Sequence, residues 1–456
     1  MRCSVWTMAV VTSALVGCRS TDAILTDQEA KISYGHYAEA GVEPAKLADE
    51  GGRDAPCWQL HAATAAHLSA DADEAIRRFD LAEDGFLDFD VRGALTEGAQ
   101  GAWSLLTSDV AMPYAGSGQD RVFTCLYKAL NYGVKGNAAA IRTELNRALQ
   151  HQENWRAERS AEISAADAKM TADTQAKAGS SASTAATAPS QALADAGFAE
   201  RIRSRTGFDP AVGGQLERLV ADDYTNNYLL KFNEIFRRNV GDSGPKPANR
   251  VTVFVEDGLC PRRREWRLDL PLVLIPGVNR YVQYAGMALP ELVLRNAAVT
   301  AYSVTAGGSV YPMPVVQDVD RLVKTEFDVF FKGALAREIT RAVTRVTAQA
   351  ALGVASQAAY HQHSRDGDAA AVLLTLVQLG VAGWSAAETE ADLRSWTTLP
   401  KCVYMIDVPR PADGIVTVNA GLEKIQVNVP EGNTMVVVRK ASSAAPSVVK
   451  SFTLPN

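Results

Sequence analysis

The sequence predicts an α+β protein of several domains, with helices in its first half and most strands in its second half. Three observations lead to this fold class. Apolar residues follow helical spacing over 29–156, a stretch rich in Ala, Ser and Thr covers 178–196, and β-branched residues alternate from 250 onward. At 456 residues, with 47% hydrophobic and 21% charged residues, the chain has a globular composition and is long enough for more than one core.

The first residues are typical of an exported protein. Arg2 precedes a mostly apolar run, Ser4–Val16, that is too short to span a bilayer. The run ends in Leu15-Val-Gly-Cys18, which resembles the bacterial lipobox, so we predict a signal peptide and a lipid anchor on Cys18. The alternative is a plain signal peptide followed by a chance cysteine. In a Gram-negative host, Arg19 in place of aspartate favours an outer-membrane anchor facing the periplasm.

The helical first half has small and aromatic residues at a repeating spacing. The string Ala75-Ile-Arg-Arg-Phe79-Asp-Leu-Ala82 matches the packing positions of tetratricopeptide repeats, and Ala63 and Ala129 are separated by about two periods of ~34 residues. Small residues let paired helices approach closely, and stacked pairs of this kind form a concave binding surface. The sequence therefore predicts tetratricopeptide-like repeats, with a generic array of helical hairpins as the alternative.

A repeat of this type lines its groove with the first helix of each pair. When Ala63 and Ala129 are aligned as equivalent positions, five residues are predicted to face the groove: Leu60, Thr64, His67, Leu126 and Leu130. Leu126 and Leu130 are apolar at helical spacing, so they also fit a buried position under a neighbouring helix.

Changes in composition divide the chain into six predicted segments. They are a signal peptide at 1–17, a helical domain at 18–156, a low-complexity linker at 157–196, a helical segment at 197–248, an α+β module at 249–400 and a small β domain at 401–456. In the α+β module, Val251–Val255 and Arg264–Leu272 predict a hairpin, and Asp318–Ala359 predicts one long helix. The last segment has short β-branched runs separated by Pro and Gly, which predict a small sandwich.

Two features of the α+β module have alternative interpretations. Arg337, Arg341 and Arg345 share one face of the long helix, where a solvated or salt-bridged face is favoured over contact with anionic lipid or glycan. Ala369–Ala387 has no charged residue and is long enough to be tested as a membrane span. Gln378 at its centre favours a buried helix over membrane contact.

Motifs for catalysis and metal binding are missing from the sequence. It has no Gly-x-Ser-x-Gly elbow, no Gly-rich lysine loop and no His-Glu-x-x-His, so we predict no catalytic residue and no cofactor. Asp80, Asp84 and Gly85 fail as a calcium loop because Ala82 fills a ligand position, and His361-Gln-His363 lacks further ligands. A net charge of −6 argues against nucleic-acid binding.

The cysteines beyond the lipobox are widely separated. An oxidising periplasm would permit disulfides among them, but the sequence leaves the pairing open. Zinc ligands usually come in close pairs, so no metal site is predicted. The residues concerned are Cys57, Cys125, Cys260 and Cys402.

Three strings together resemble a family of uncharacterised bacterial lipoproteins with N-terminal tetratricopeptide-like repeats. They are Met112–Val122 continuing into Lys128–Tyr132, then Val255–Glu265, and most specifically Thr389–Pro400. The resemblance covers most of the mature chain, with Arg263 where that family is expected to have lysine. It implies a lipid-anchored protein of the cell envelope and implies no activity.

The third string has both a structural and a ligand-binding interpretation. In the structural one, Trp396 fills the core, Asp392 caps the chain or pairs with an arginine, and Leu399-Pro400 turns the chain into a strand. In the other, Asp392 and Arg394 bind a ligand beside Trp396. We favour the structural interpretation because no acid–base set accompanies the string. Its residues are Glu390, Asp392, Arg394, Trp396 and Pro400.

These observations predict a membrane-anchored interaction or scaffold protein without catalysis, which binds a protein partner of the envelope through its helical repeats. The alternative is an envelope enzyme or glycan-binding protein that uses the α+β module. A deep pocket that gathers Asp392, Arg394, Trp396 and the arginine face would favour the alternative. An open apolar groove in the repeats would favour interaction.

Overall fold

The structure is a computed structural model. It describes residues 20–106, 112–176, 196–206, 224–240, 249–269, 286–328 and 390–454, together with the helical residues 330–331, 334–335, 338–339 and 341–342. The predicted anchor Cys18, the segment Ala369–Ala387 and the pair His361 and His363 lie outside these residues.

The described residues form an α+β fold with strands in three sheets. Its helices are α1 (Thr21–Ser33), α2 (Tyr37–Ala40), α3 (Val42–Glu50), α4 (Ala55–Leu68), α5 (Ala72–Leu106), α6 (Gly118–Val134), α7 (Ala138–Ala176), α8 (Ala196–Thr206) and α9 (Asn227–Val240), followed by helical residues 319–328. Its strands are β1 (Arg250–Asp257), β2 (Arg262–Asp269), β3 (Gly286–Val293), β4 (Tyr302–Ala306), β5 (Ser309–Pro312), β6 (Val315–Asp318), β7 (Cys402–Pro409), β8 (Ile415–Ala420), β9 (Glu423–Asn428), β10 (Thr434–Lys440) and β11 (Val448–Thr453).

The largest sheet has five strands in the order β11-β10-β1-β7-β6. β1 lies at its centre, parallel to β10 and antiparallel to β7. The second sheet has four strands in the order β5-β4-β8-β9, and β2 pairs with β3 in a sheet of its own. The central position of β1 explains why its residues are buried on both faces of the sheet.

The five-stranded sheet lies between the helices and the four-stranded sheet. Val251, Val253 and Val255 point to one side, where they share a core with β4 and β8. Phe254 points to the other side, into a core shared with α4 to α7 and α9. Glu256, on that same side, is fully buried and accepts hydrogen bonds from Tyr127 Oη at 3.3 Å and Tyr228 Oη at 3.1 Å. Side-chain alternation along β1 thus joins the helical and β parts in one body.

Several sequence predictions need correction at this level. Val251–Val255 and Arg264–Leu272 do not form a hairpin, because β1 pairs with β7 and β10 while β2 pairs with β3. The last segment has the predicted strands β7 to β10, but they are divided between two sheets that also contain β1 and β4, so 401–456 is not a separate small domain.

The helical predictions are confirmed in outline. α4 packs against α5, and α6 packs against α7, while the identification of these pairs as tetratricopeptide-like repeats stays a prediction. α7 continues to Ala176, past the predicted start of the linker at 157. Among the described helices, none is both long and apolar enough to cross a membrane.

Candidate functional site

A cavity of about 420 Å³ opens where three distant segments of the chain meet. We call it the junction cavity and define its walls by segments 112–120, 260–263 and 392–396, together with the face of the helix that holds Glu326 and Phe330. Each of the three segments belongs to one of the strings on which the family resemblance rests. The resemblance therefore maps to one place in the fold.

The segment 112–120 is fixed by the start of α6. Ser117 caps this helix, because Asp120 N donates to its Oγ at 3.2 Å while Ser117 N donates to Asp120 Oδ2 at 2.8 Å. Tyr114 Oη donates to the same Oδ2 at 2.7 Å. Burial raises the pKa of Asp120, although these hydrogen bonds favour its ionised form. Asp120 therefore orders the cavity wall through two hydrogen bonds to its Oδ2.

Arg394 connects the third segment to the other walls. Its Nε and Nη2 donate to Asp392 at 2.8 and 3.0 Å, and its Nη1 donates to Asp54 Oδ1 at 2.7 Å and to Met112 O at 2.6 Å. Burial opposes the charge on Arg394, but the hydrogen bonds and charges of Asp392 and Asp54 outweigh it and raise its pKa. The ion pair predicted for Asp392 is confirmed.

Trp396 fills the core behind the cavity. Its Nε1 donates to Thr64 Oγ1 at 2.8 Å and to Thr398 Oγ1 at 2.9 Å, and its ring contacts Phe79 and Tyr127 with centroids 5.7 Å away. The structural interpretation of Trp396 is confirmed. Leu399 and Pro400 are also buried and lead into β7, as predicted, whereas Glu390 is exposed.

Arg263 places a guanidinium in the wall of the junction cavity. Its Nη1 donates to Arg394 O at 3.2 Å, and its guanidinium lies 4.4 Å from the centroid of the Phe330 ring. Within the described residues Arg263 makes no ion pair. Gln119 Oε1 and Ser395 Oγ, also in the cavity wall, are buried and have no hydrogen-bond partner in that part of the chain. A charge and two polar atoms are thus left for a ligand.

The other ionisable groups of the cavity wall are already engaged. Asp392 pairs with Arg394, Asp120 accepts from Tyr114 and Ser117, and Glu326 Oε2 accepts from Trp155 Nε1 at 3.0 Å. Burial raises the pKa of the Cys260 thiol to about 12, which makes it a poor nucleophile. Among the described wall residues, no acid–base pair is therefore poised for catalysis.

The prediction that five residues line an exposed partner groove is wrong, because all five are buried. Its five residues are at most 3% exposed: Leu60, Thr64, His67, Leu126 and Leu130. The face they share packs against the five-stranded sheet and Trp396 of the third string rather than against solvent. His67 shows this: its Nδ1 lies 3.0 Å from Asn131 Oδ1, and its ring stacks on Tyr127 at 4.9 Å. Helical spacing correctly predicted that these residues share one face of the helices. It could not predict that other parts of the protein cover this face.

The predicted arginine face is only partly described. Arg341 is buried and forms an ion pair with Glu338, so the solvated alternative is wrong for this residue and the salt-bridged one is confirmed. Arg337 and Arg345 lie outside the described residues. Arg263, rather than this arginine face, places a guanidinium in the cavity wall. The sequence signal for Arg263 was its position in the second string, Val255–Glu265.

The cysteines beyond the lipobox are reduced, and an acidic residue of the rejected calcium loop forms an ion pair. Cys57, Cys125, Cys260 and Cys402 are all free, so no disulfide joins them. Asp80, which belonged to the rejected calcium loop, lies inside α5 and pairs with Lys128.

Comparisons with protein-family models, with curated proteins and with solved structures found no match.

Proposed function

We propose that this chain is a lipid-anchored binding protein of the cell envelope that holds a carboxylate-bearing glycan fragment in the junction cavity. The observation that supports this most is the convergence of segments 112–120, 260–263 and 392–396 on a cavity where the Arg263 guanidinium makes no ion pair with the described residues. Arg263 is the proposed anion-binding residue.

The chemistry of the wall fits an anionic sugar. A guanidinium binds a carboxylate through paired, charge-assisted hydrogen bonds. Gln119 Oε1 accepts a hydrogen bond from a hydroxyl or an amide, and Ser395 Oγ either donates or accepts one. Tyr114, Phe330 and other aromatic residues of the wall provide apolar surface for the face of a sugar ring.

Binding is favoured over catalysis because the acids of the cavity are held by neighbours. Asp392, Asp120 and Glu326 each accept hydrogen bonds from the protein itself. A general base needs an acceptor that is free to take a proton from a substrate. The described wall offers fixed charges and hydrogen-bonding atoms, which suit recognition.

The envelope location rests on the predicted lipobox at Cys18. An anchor there would hold the protein beside glycan polymers of the envelope, which matches the proposed ligand. The interaction or scaffold function expected from the helical repeats has less support, because the residues meant to form its groove are buried.

Calorimetry on the purified mature chain tests this proposal. The probes are soluble disaccharide peptides released from peptidoglycan, with neutral N-acetylglucosamine oligomers for comparison. A hydrogen bond to a charged group contributes about 1.5–3 kcal/mol, so Arg263→Gln should weaken binding by about tenfold to a hundredfold. Arg267→Gln, an exposed position on the same strand, is the matched control.

The expected result is binding of the acidic fragments that requires Arg263 and not Arg267. Equal affinity for neutral oligomers would contradict the proposed anion recognition. The absence of any binding by the folded chain would contradict the glycan proposal itself.

A further inference from the structure

A second cavity, of about 330 Å³, opens beside the helical core, and the buried core residue Phe86 is part of its wall. It is formed where α5, α6 and α7 meet, and carboxylates, arginines and one histidine line it. Glu83 and His151 line this cavity, the buried Cys125 lies beside them, and one potential ligand atom of each lies within 4.8 Å of the other two. These residues belong to three different helices, and none of them takes part in the junction cavity.

Glu83 divides its two carboxylate oxygens between different neighbours. Lys128 Nζ donates to Oε2 at 2.7 Å and Arg147 Nη2 lies 3.0 Å from the same atom. Oε1 instead accepts from Cys125 Sγ at 3.2 Å. Burial opposes ionisation of Glu83, but Lys128 and Arg147 outweigh it and lower its pKa. The cations therefore hold an ionised carboxylate with one oxygen directed at the thiol.

His151 completes the set as a neutral imidazole. Burial, with the charges of Arg121 and Arg147, lowers its pKa, so near neutral pH the ring has a lone pair for a metal. Neither ring nitrogen makes a hydrogen bond with the described residues. His151 is half-buried and lies in the cavity wall, so an ion can reach it from solvent.

The three donor types together select a particular class of ion. Thiolate and imidazole ligands suit borderline and soft transition ions, whereas Ca²⁺ and Mg²⁺ prefer oxygen ligands alone. Three protein ligands with a fourth position open to a cavity are typical of zinc sites that keep an exchangeable ligand. Lys128 and Arg147, which contact the other carboxylate oxygen, would orient Glu83 as outer partners do in metal centres.

We propose that Glu83, Cys125 and His151 form a Zn²⁺-binding site whose fourth ligand position faces the cavity. Binding replaces the proton on Cys125 Sγ by the ion: the S–H bond breaks, a Zn–S bond forms and the proton leaves to solvent. Four acidic residues line the cavity, namely Asp80, Glu83, Asp84 and Asp90, beside Arg121 and Arg147. Their excess negative charge favours entry of a dication.

Metal titration of the purified, metal-stripped mature chain tests the proposal. Zn²⁺ is measured by competition with a chromogenic chelator, and Co²⁺ is used as a spectroscopic substitute. A thiolate ligand gives Co²⁺ an intense charge-transfer band in the near ultraviolet, which oxygen and nitrogen ligands alone do not. We expect one Zn²⁺ per chain and this band in the Co²⁺ form.

Two variants and one control make the result specific. Cys125→Ser should abolish the Co²⁺ band, and His151→Gln, a half-exposed position that leaves the core intact, should weaken Zn²⁺ binding at least tenfold. Cys57→Ser changes another buried cysteine and should leave both measurements unchanged. Circular dichroism establishes that each variant is folded.

The proposal is overturned if the folded wild-type chain binds no Zn²⁺. It is also overturned if His151→Gln retains wild-type affinity, or if Co²⁺ binds without a charge-transfer band. These outcomes do not involve Arg263 or glycan binding, so they are independent of the proposed function.

Discussion

Acidification should destabilise the protein through protonation of His61, which contacts Ser395 of the third string. This residue lies on α4 and is fully buried, with Nε2 3.0 Å from Ser395 O and Nδ1 without a partner among the described residues. Burial lowers the pKa of His61 from 6.5 to about 4. The folded protein therefore keeps this ring neutral at a pH where the unfolded chain protonates it.

The sign and size of the effect follow from this difference. A base with a lowered folded-state pKa contributes stability above its unfolded pKa and loses it as the pH falls towards the folded value. At about 1.4 kcal/mol per unit, the shift of His61 removes about 3 kcal/mol between pH 7 and pH 4. His67, whose pKa is also lowered by burial, acts in the same direction.

Urea unfolding at pH 7, 5 and 4 measures the effect. The buried carboxyls Asp120 and Glu256 have raised pKa values and act in the opposite direction, so the comparison must be made with a variant. His61→Gln should lose about 3 kcal/mol less than the wild type between pH 7 and pH 4. His36→Gln, at a site 59% exposed, should follow the wild type. Parallel pH profiles for wild type and His61→Gln would refute the reasoning.

Three further predictions concern packing, a buried charge and the anchor. Gly118→Ala should lower the free energy of unfolding by about 1–3 kcal/mol in urea titrations, because the new Cβ would overlap the Trp155 ring; an unchanged midpoint would contradict this. Burial lowers the pKa of Lys450 from 10.5 to about 8. Wild-type stability should therefore rise between those pH values, and Lys450→Met, about 1–3 kcal/mol more stable at neutral pH, should lack that rise in the same assay. Cys18→Ser should accumulate as unprocessed, unacylated precursor in mass spectra of the N-terminus, and a mature acylated form would disprove the anchor.

The positions of the helices and strands could be predicted in outline from the sequence, because they depend on residues that are close together in the chain. Short β-branched runs predicted strands in the last segment, and the structure has β7 to β10 there. Their pairing could not be predicted in this way. β1 pairs with strands roughly 150 and 180 residues later in the chain, and alternation specifies a face but not a neighbour.

The sequence predicted the local role of single residues better than it predicted which distant residues come together in a site. The structural role predicted for Trp396 and Asp392 agrees with their contacts, and it followed from the lack of an acid–base set in the same string. The groove residues were misplaced because a buried helix face and a binding face have the same periodicity. Glu83, Cys125 and His151 were missed because close sequence spacing was the criterion for a metal site, whereas these three come from separate helices.

Hydrogen–deuterium exchange with the acidic disaccharide peptides tests the central claim most directly. If the junction cavity is the binding site, ligand should slow exchange in 112–120, 260–263 and 392–396 together, because these segments form its walls. Arg263→Gln should remove this protection at the same ligand concentration. Protection confined to another surface, or an unchanged exchange pattern at saturating ligand, would contradict the account.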